Sequence, residues 1–278
     1  MLITTVDGLW VLQVLTGAEI VAPELGLRPV LPSLETAQLA LTHPVAAELR
    51  AEGVLNDAGE VDDVIVEWLT VLRRRDIAVL VQRPAAAGSA ECDRALLARF
   101  AQWWVVLERS AEFVRICGAG TATAPGAARH ILRVQVERLC GTCPPAALRP
   151  VTLDVDALLT GVRDQQTLDA FLDGQRLDRE QLRVLAMAAD PAQSVQASLV
   201  ALQAGMAGAG PTRTHVEPSA VTIIDTAEGR LVAEHVCTAE KKWMVISPGT
   251  ATNIGAAVEK MLRRLPADAE WHSHRKAV

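Results

Sequence analysis

Apolar residues at helical spacing mark one segment in each half of the chain. In both segments, six apolar positions recur at i, i+3, i+4, i+7, i+8 and i+11, which places them on one stripe of an α-helix. The first stripe consists of Val61, Val64, Ile65, Trp68, Leu69 and Leu72, and the second consists of Ile254, Ala257, Val258, Met261, Leu262 and Leu265. Each pattern predicts an amphipathic helix, and the second helix must cover a sheet.

The first half contains three predicted strands, at residues 77–82, 99–108 and 112–117. Within the second of these strands, alternate positions place Trp103 and Trp104 on opposite faces. We assign the Trp103 face to the core, and we expect the Trp104 face to be only partly covered.

The second half begins with helices and continues with strands. Asp154, Thr167 and Asp178 stand where N-cap residues of three helices are expected. A strand is predicted at residues 192–203, and residues 221–250 contain a hairpin with a tight turn and a further strand.

The order of elements is similar in the two halves. Each half begins with helices, continues with strands and ends with a helix, and each could complete its sheet by joining the other half. We therefore predict an α+β fold with quasi-twofold halves, residues 1–150 and 151–278, which together form one domain.

Charge and composition argue against several classes of function. A net charge of -6 and a pI near 5.6 do not fit a nucleic-acid-binding protein, and no apolar run approaches the ~18 residues of a membrane-inserted helix. Five scattered cysteines fit a reducing compartment, and the N-terminus lacks the basic segment of a secretory signal. The sequence therefore predicts a cytoplasmic protein.

Cys140-Gly-Thr-Cys143 has the spacing of a redox or metal pair. However, Pro144 follows it, whereas redox pairs normally open a helix whose N-terminus lowers the thiol pKa. His272 and His274 supply only two ligands on a terminal tail. The sequence has neither a Gly-x-Ser-x-Gly nor a His-Glu-x-x-His motif. We therefore predict no catalytic residue, no metal and no cofactor.

Five motifs resemble the EspG family, the cytosolic chaperones of mycobacterial type VII (ESX) secretion. The similarity extends nearly from end to end, and the overall pattern is most similar to the branch associated with the second ESX system. The motifs are Gly26-Leu-Arg-Pro29, Ala51-Glu-Gly-Val-Leu-Asn56 with Gly59, Val221-Thr-Ile-Ile-Asp-Thr-Ala-Glu-Gly-Arg230, Ser247-Pro-Gly-Thr250, and Leu262-Arg-Arg-Leu-Pro-Ala267 followed by Trp271.

This resemblance implies a central antiparallel β-sheet flanked by two helical bundles. It also implies that the chain binds the apolar tip of the PPE subunit in a PE–PPE heterodimer, which keeps the cargo soluble and directs it to secretion. The implied surface combines the loop at residues 83–95, the sheet face and the helical bundle at residues 168–185. No single contact is carried over from the family.

Within that surface we select Trp104, Phe171, Leu172 and Leu177 as apolar anchors. The full set of candidate partner-binding residues is Arg83, Ala87, Gly88, Ser89, Trp104, Leu168, Phe171, Leu172, Leu177, Leu182 and Leu185. For each of the four anchors, Trp104 included, packing in the core is the competing interpretation.

Two other functions remain open from the sequence. One is a redox or metal-binding enzyme that uses Cys140 and Cys143, and the other is a self-assembling structural protein. The sequence also leaves a homodimer open.

Overall fold

The computed structural model describes residues 1–84, 92–206, 213–237 and 241–275. The first half contains, in order, β1 (Leu2–Thr5), α1 (Val6–Thr16), α2 (Ala37–Thr42), α3 (Pro44–Ala51), α4 (Asp63–Arg74), β2 (Ile77–Pro84), β3 (Cys92–Phe100), β4 (Trp103–Ser110), β5 (Phe113–Thr121) and α5 (Pro125–Cys140). The second half contains β6 (Val151–Asp154), α6 (Val155–Gly161), α7 (Gln165–Asp173), α8 (Arg179–Ala189), β7 (Ser194–Met206), β8 (Arg213–Val216), β9 (Val221–Thr226), β10 (Gly229–Cys237), β11 (Lys242–Pro248) and α9 (Ala251–Arg263).

The described strands form one antiparallel sheet that extends through both halves. Their order is β1-β5-β4-β3-β2-β7-β9-β10-β11-β6, and β8 pairs with β7 beside this path. The halves meet where β2 pairs with β7, from Ile77 opposite Gln203 to Gln82 opposite Ser198. The predicted α+β fold with a central antiparallel sheet is confirmed, whereas the division into residues 1–150 and 151–278 stays a prediction.

Helices cover the two faces of the sheet differently. One face, here called the back, packs against α5 and α9 through residues such as Val79, Leu199 and Val232. The opposite face, here called the front, carries two separate apolar clusters. The first lies under α1, α3 and α4, and the second lies under α7 and α8.

The register shows that both of these clusters lie on the front face. Leu202 belongs to the first cluster, and Gln196, six residues before it on β7, shares its face because side chains alternate along a strand. Gln196 pairs with Ile224, which belongs to the second cluster.

Both amphipathic helices predicted from the sequence are present, as α4 and α9. The Asp62 side chain accepts a hydrogen bond from the backbone N–H of Val64, and Thr250 accepts one from Asn253. These caps satisfy amide groups that have no partner inside the first turn of a helix. The second stripe is buried throughout, with Met261 0% exposed, whereas the first is buried at Ile65, Leu69 and Leu72 and leaves Val64 47% exposed.

The single strand predicted at residues 99–108 is wrong. The chain reverses at residues 101–102, between β3 and β4, and Ala101 has a φ of 59°. Two side chains hold this turn, one distant and one local: Asp76 Oδ2 accepts a hydrogen bond from Ala101 N–H, and Arg99 donates to the Ala101 carbonyl. Since Asp76 lies 25 positions away, the local sequence carries no signal for the turn.

Candidate functional site

The front face of the sheet is uncovered between its two helical clusters. In the central strands β2, β7 and β9, the back-facing residues Val79, Val81, Leu199, Ala201, Val221 and Ile223 are at most 2% exposed. Between the two clusters, five front-facing residues of the same strands are only half-buried. We call these five residues the open strip, and they are Leu80, Gln82, Ser198, Val200 and Thr222. Leu80 and Val200 also pack against the margin of the first cluster. The strip offers apolar carbon and hydrogen-bonding groups on a rigid sheet.

The second helical cluster forms one side of the open strip. Helix α8 contacts β7 and β9, and its end is fixed by hydrogen bonds from Ser194 Oγ and Gln196 Nε2 to the Ala188 carbonyl, each 3.0 Å. A capping box between Asp178 and Gln181 begins the helix. The bundle is therefore held firmly against the strands beside the strip.

The candidate residues on α7, on α8 and in the segment between them all belong to this second cluster. Leu172 and Leu185 are 3% and 4% exposed and serve as its core. The remaining four are half-buried and pack at its margin, where they combine a core role with partial access to a partner: Leu168, Phe171, Leu177 and Leu182.

Arg83 was expected in the loop at residues 83–95, but it lies on a strand, because β2 continues to Pro84 and β3 begins at Cys92. Its side chain lies on the back face, where it donates to the Leu139 carbonyl at 2.8 Å and to Asp93 at 3.1 Å. Arg83 therefore does not lie in the open strip. The candidates Ala87, Gly88 and Ser89 fall outside the described residues.

The expected exposure of the Trp104 face is also wrong. Trp104 is 1% exposed and lies in the back cluster under α5, whereas Trp103 on the front face is 49% exposed. Trp104 pairs with Arg99, seven positions along β3 from Cys92, so it lies roughly 23 Å from the strand ends that flank residues 85–91. It is not brought together with the helical candidates.

The residues of the open strip are not among the sites predicted from the sequence. Residues 192–203 were predicted as a strand, but the alternation of Ser198 and Val200 with buried Leu199 and Ala201 was not used. That alternation was visible in the sequence. Which of the two faces is left uncovered depends on how α5 and α9 pack, so it was not visible there.

The cysteine pair shows no feature of a reactive site. Cys140 and Cys143 are free thiols, and burial raises the pKa of each above its ordinary value. Reactive cysteines have lowered pKa values instead, because the thiolate is the reactive form. Within the described ranges, no group of three or more His, Cys, Asp or Glu side chains is placed to hold a metal ion. Over the same ranges, no helix is long and apolar enough to cross a bilayer.

The α+β architecture, with its long antiparallel sheet and two front-face bundles, is shared with a known class of secretion chaperone. The chain resembles the structure of the Mycobacterium tuberculosis type VII secretion system chaperone EspG5 in complex with a PE25–PPE41 dimer. The match has a TM-score of 0.76 at 21% sequence identity, and it covers 98% of this chain and 99% of the other.

The EspG family model matches residues 5–260, and the chain therefore belongs to the EspG family. It is 53% identical over 278 residues to the ESX-2 secretion-associated protein EspG2 of M. tuberculosis H37Rv, with full coverage of both chains. It is 27% identical over 269 residues to the ESX-3 secretion-associated protein EspG3 of Mycolicibacterium smegmatis, covering 95% of this chain and 86% of that protein. The family membership predicted from the five motifs is confirmed.

Proposed function

We propose that this protein is a cytoplasmic chaperone that binds the PPE subunit of a PE–PPE heterodimer and delivers it to a type VII secretion system. Membership in the EspG family supports this proposal, as does the EspG5 structure, which contains a PE25–PPE41 dimer. In this function the protein carries out no chemistry: it covers an apolar tip of the cargo and is released later.

The observation that carries the proposal is the open strip between the two front-face clusters. A sheet buried on its back face and half-exposed on its front face lacks a layer, and a bound partner would supply that layer. The margin of the second cluster, with Phe171 and Leu182, would add apolar contacts beside it. A stable interface of this kind buries about 1,200–2,000 Å² in total.

The test uses two substitutions on the same strand, β7. Ser198→Arg places a long cation in the open strip, whereas Val195→Arg places the same side chain on the back face, where Val195 is 60% exposed. Each variant is co-expressed with candidate PE–PPE pairs, and the complex is measured by affinity capture and size-exclusion chromatography.

We expect Ser198→Arg to abolish capture of the cognate pair and Val195→Arg to retain it. Far-UV circular dichroism and thermal unfolding establish that both variants are folded. Retained capture by a folded Ser198→Arg variant would remove the open strip from the interface. Failure of the unmodified protein to capture any PE–PPE pair would refute the function itself.

Phe171→Asp tests the contribution of the second cluster separately. Phe171 is half-buried at the margin of that cluster, so a charge at this position should weaken cargo binding. Capture that is unchanged in a folded Phe171→Asp variant would limit the interface to the sheet.

A further inference from the structure

A groove runs between α5 and α9 on the back face of the sheet, opposite the open strip. It consists of two adjoining recesses of about 470 and 440 Å³. Arg133, Val136, Ala251 and Ile254 line both recesses, so the groove is continuous.

The floor and one wall of the groove are apolar. Val136, Ile254 and Val258 are at most 9% exposed and form the floor. The α9 wall is low because it carries Gly255 and Ala256. A Cβ added at Gly255 would meet no atom within 4 Å, so nothing in the described part of the chain requires glycine there. Glycine inside a helix is about 1 kcal/mol less favourable than alanine.

The α5 wall is basic, although the chain as a whole carries a charge of -6. Glu259 is shared by two guanidinium groups, Arg129 at 3.2 Å and Arg263 at 3.3 Å, which leaves one positive charge in excess. Arg133 is exposed, and within the described ranges it contacts the His130 ring at 3.4 Å but forms no ion pair with a carboxylate. Glu137 lines the other recess, so the excess charge lies at the Arg129 end.

We propose that this groove is a second docking site, which binds an acidic amphipathic helix from a protein other than the PE–PPE cargo. The wall from Gly126 to Glu137 rises about 17 Å along α5, which matches three turns of a bound helix. Apolar residues of that helix would enter the recesses against the low α9 wall. Its carboxylates would pair with Arg129 and Arg133, which lie one turn apart on α5.

The position of the groove gives the second site a role beyond cargo binding. The sheet and its buried back layer separate it from the open strip, so both surfaces could be occupied at once. The chaperone would then hold cargo on its front face while its back face is bound by another component.

Two fluorescein-labelled synthetic helical peptides of 16 residues test the proposal. They share one leucine face and differ only in flanking residues, which are glutamate in one and lysine in the other. Fluorescence anisotropy measures their binding to the unmodified protein and to three variants: Gly255→Leu, Arg133→Glu and Arg213→Glu. Arg213 is exposed on β8 and is not part of the groove, so it serves as the charge control.

We expect the unmodified protein to bind the glutamate peptide at least tenfold more tightly than the lysine peptide. Gly255→Leu, which fills the recess, should weaken binding at least tenfold, and Arg133→Glu should reverse the preference toward the lysine peptide. Arg213→Glu should change neither affinity by more than twofold. Because Gly255 has open space around it, the leucine variant should fold, and retained capture of PE–PPE cargo provides a separate check.

Equal affinity for the two peptides, or undiminished binding by Gly255→Leu, would overturn the proposal. The proposal would also be overturned if neither peptide bound at 100 µM protein, because that concentration is far above the Kd expected of a specific groove. None of these outcomes depends on whether the protein binds PE–PPE cargo.

Discussion

Arg230 connects the β9–β10 hairpin of the second half to the end of α5 in the first half, and its replacement should destabilise the fold. Its guanidinium forms a bidentate ion pair with Asp225, at 2.6 and 2.7 Å, across the β9–β10 hairpin. The same group donates to the carbonyls of Cys140 and Gly141, each at 2.8 Å, at the end of α5. The Arg230 side chain is 5% exposed and that of Asp225 is 29% exposed.

The magnitude follows from the groups that lose partners in Arg230→Met. Each of the two carbonyls would lose a partly buried hydrogen bond, at about 1 kcal/mol apiece. Asp225 would lose its counter-charge but keep some solvent, so its share should be about 1 kcal/mol rather than the 3–5 kcal/mol of a fully buried pair. The expected loss in free energy of unfolding is therefore about 3 kcal/mol.

Arg183→Met is the matched control, because Arg183 and Glu228 also form a forked pair, at 2.5 and 3.0 Å, beside the same hairpin. There the side chains are 51% and 38% exposed, so solvent screens the interaction and replaces it easily. Urea unfolding followed by tryptophan fluorescence should give a much smaller loss for Arg183→Met at an unchanged m-value. Equal losses for the two variants, or a loss below about 1 kcal/mol for Arg230→Met, would refute this assignment of buried hydrogen bonds.

Three further predictions concern single buried or half-buried groups. Trp104→Ala should lower the free energy of unfolding by about 3–5 kcal/mol, whereas Trp104→Phe should lower it much less, because the indole N–H has no hydrogen-bond partner among the described residues. Burial lowers the pKa of His235 from its ordinary value of 6.5, and the positive charges of Arg264 and Lys242 lower it further. As the pH falls, the unfolded state therefore binds a proton at His235 at a higher pH than the folded state does. Stability measured by urea titration should fall as the pH drops below about 6.5, and it should fall less steeply in His235→Gln. Burial raises the pKa of Cys140 above 9.0, so mass spectrometry should show slow iodoacetamide labelling at neutral pH that accelerates beyond pH 9.

The helices of the fold could be predicted well because their signals are local. Helix α9 is defined by six apolar positions at 3.6-residue spacing, by a capping residue before them and by a proline after them. All of these lie within residues 250–266. The same holds for α8, where Asp178 and Gln181 form the expected capping box. Each of these signals is a contact between residues at most a few positions apart.

The sheet was harder to predict because its decisive contacts join distant residues. The turn between β3 and β4 depends on Asp76, and the burial of Trp104 depends on α5. Alternation correctly separated Trp103 from Trp104, but it could not state which face a helix would cover. For the same reason the predicted anchor Trp104 lies on the covered back face, and Ser198 and Val200 on the front were not selected.

The composition of the family motifs also has a structural explanation. Gly229 and Gly249 both approach other backbone segments closely: a Cβ at Gly229 would lie 2.8 Å from the Pro144 carbonyl oxygen, and one at Gly249 would lie 2.2 Å from the Arg230 side chain. The motifs at 221–230 and 247–250 therefore build the Arg230 junction. They identify the fold chiefly through this junction, and Thr222 is the one motif residue that also lies in the open strip.

The hydrogen-bonding state of the central strands limits how the open strip can recognise cargo. Strand β2 is paired with β3 on one edge and β7 on the other, and β7 is paired with β2 and β9, so neither strand has a free edge at the strip. A partner cannot add a strand there, which excludes recognition through main-chain hydrogen bonds at that place.

Contact must be made through side chains, and the strip combines Leu80 and Val200 with polar groups that keep it from being a wholly apolar surface without cargo. Selectivity among PPE proteins should therefore depend on the shape and polarity of a helical tip lying across the strands, and exchange of Ser198 or Thr222 should change which PPE protein is captured before it changes whether any is captured.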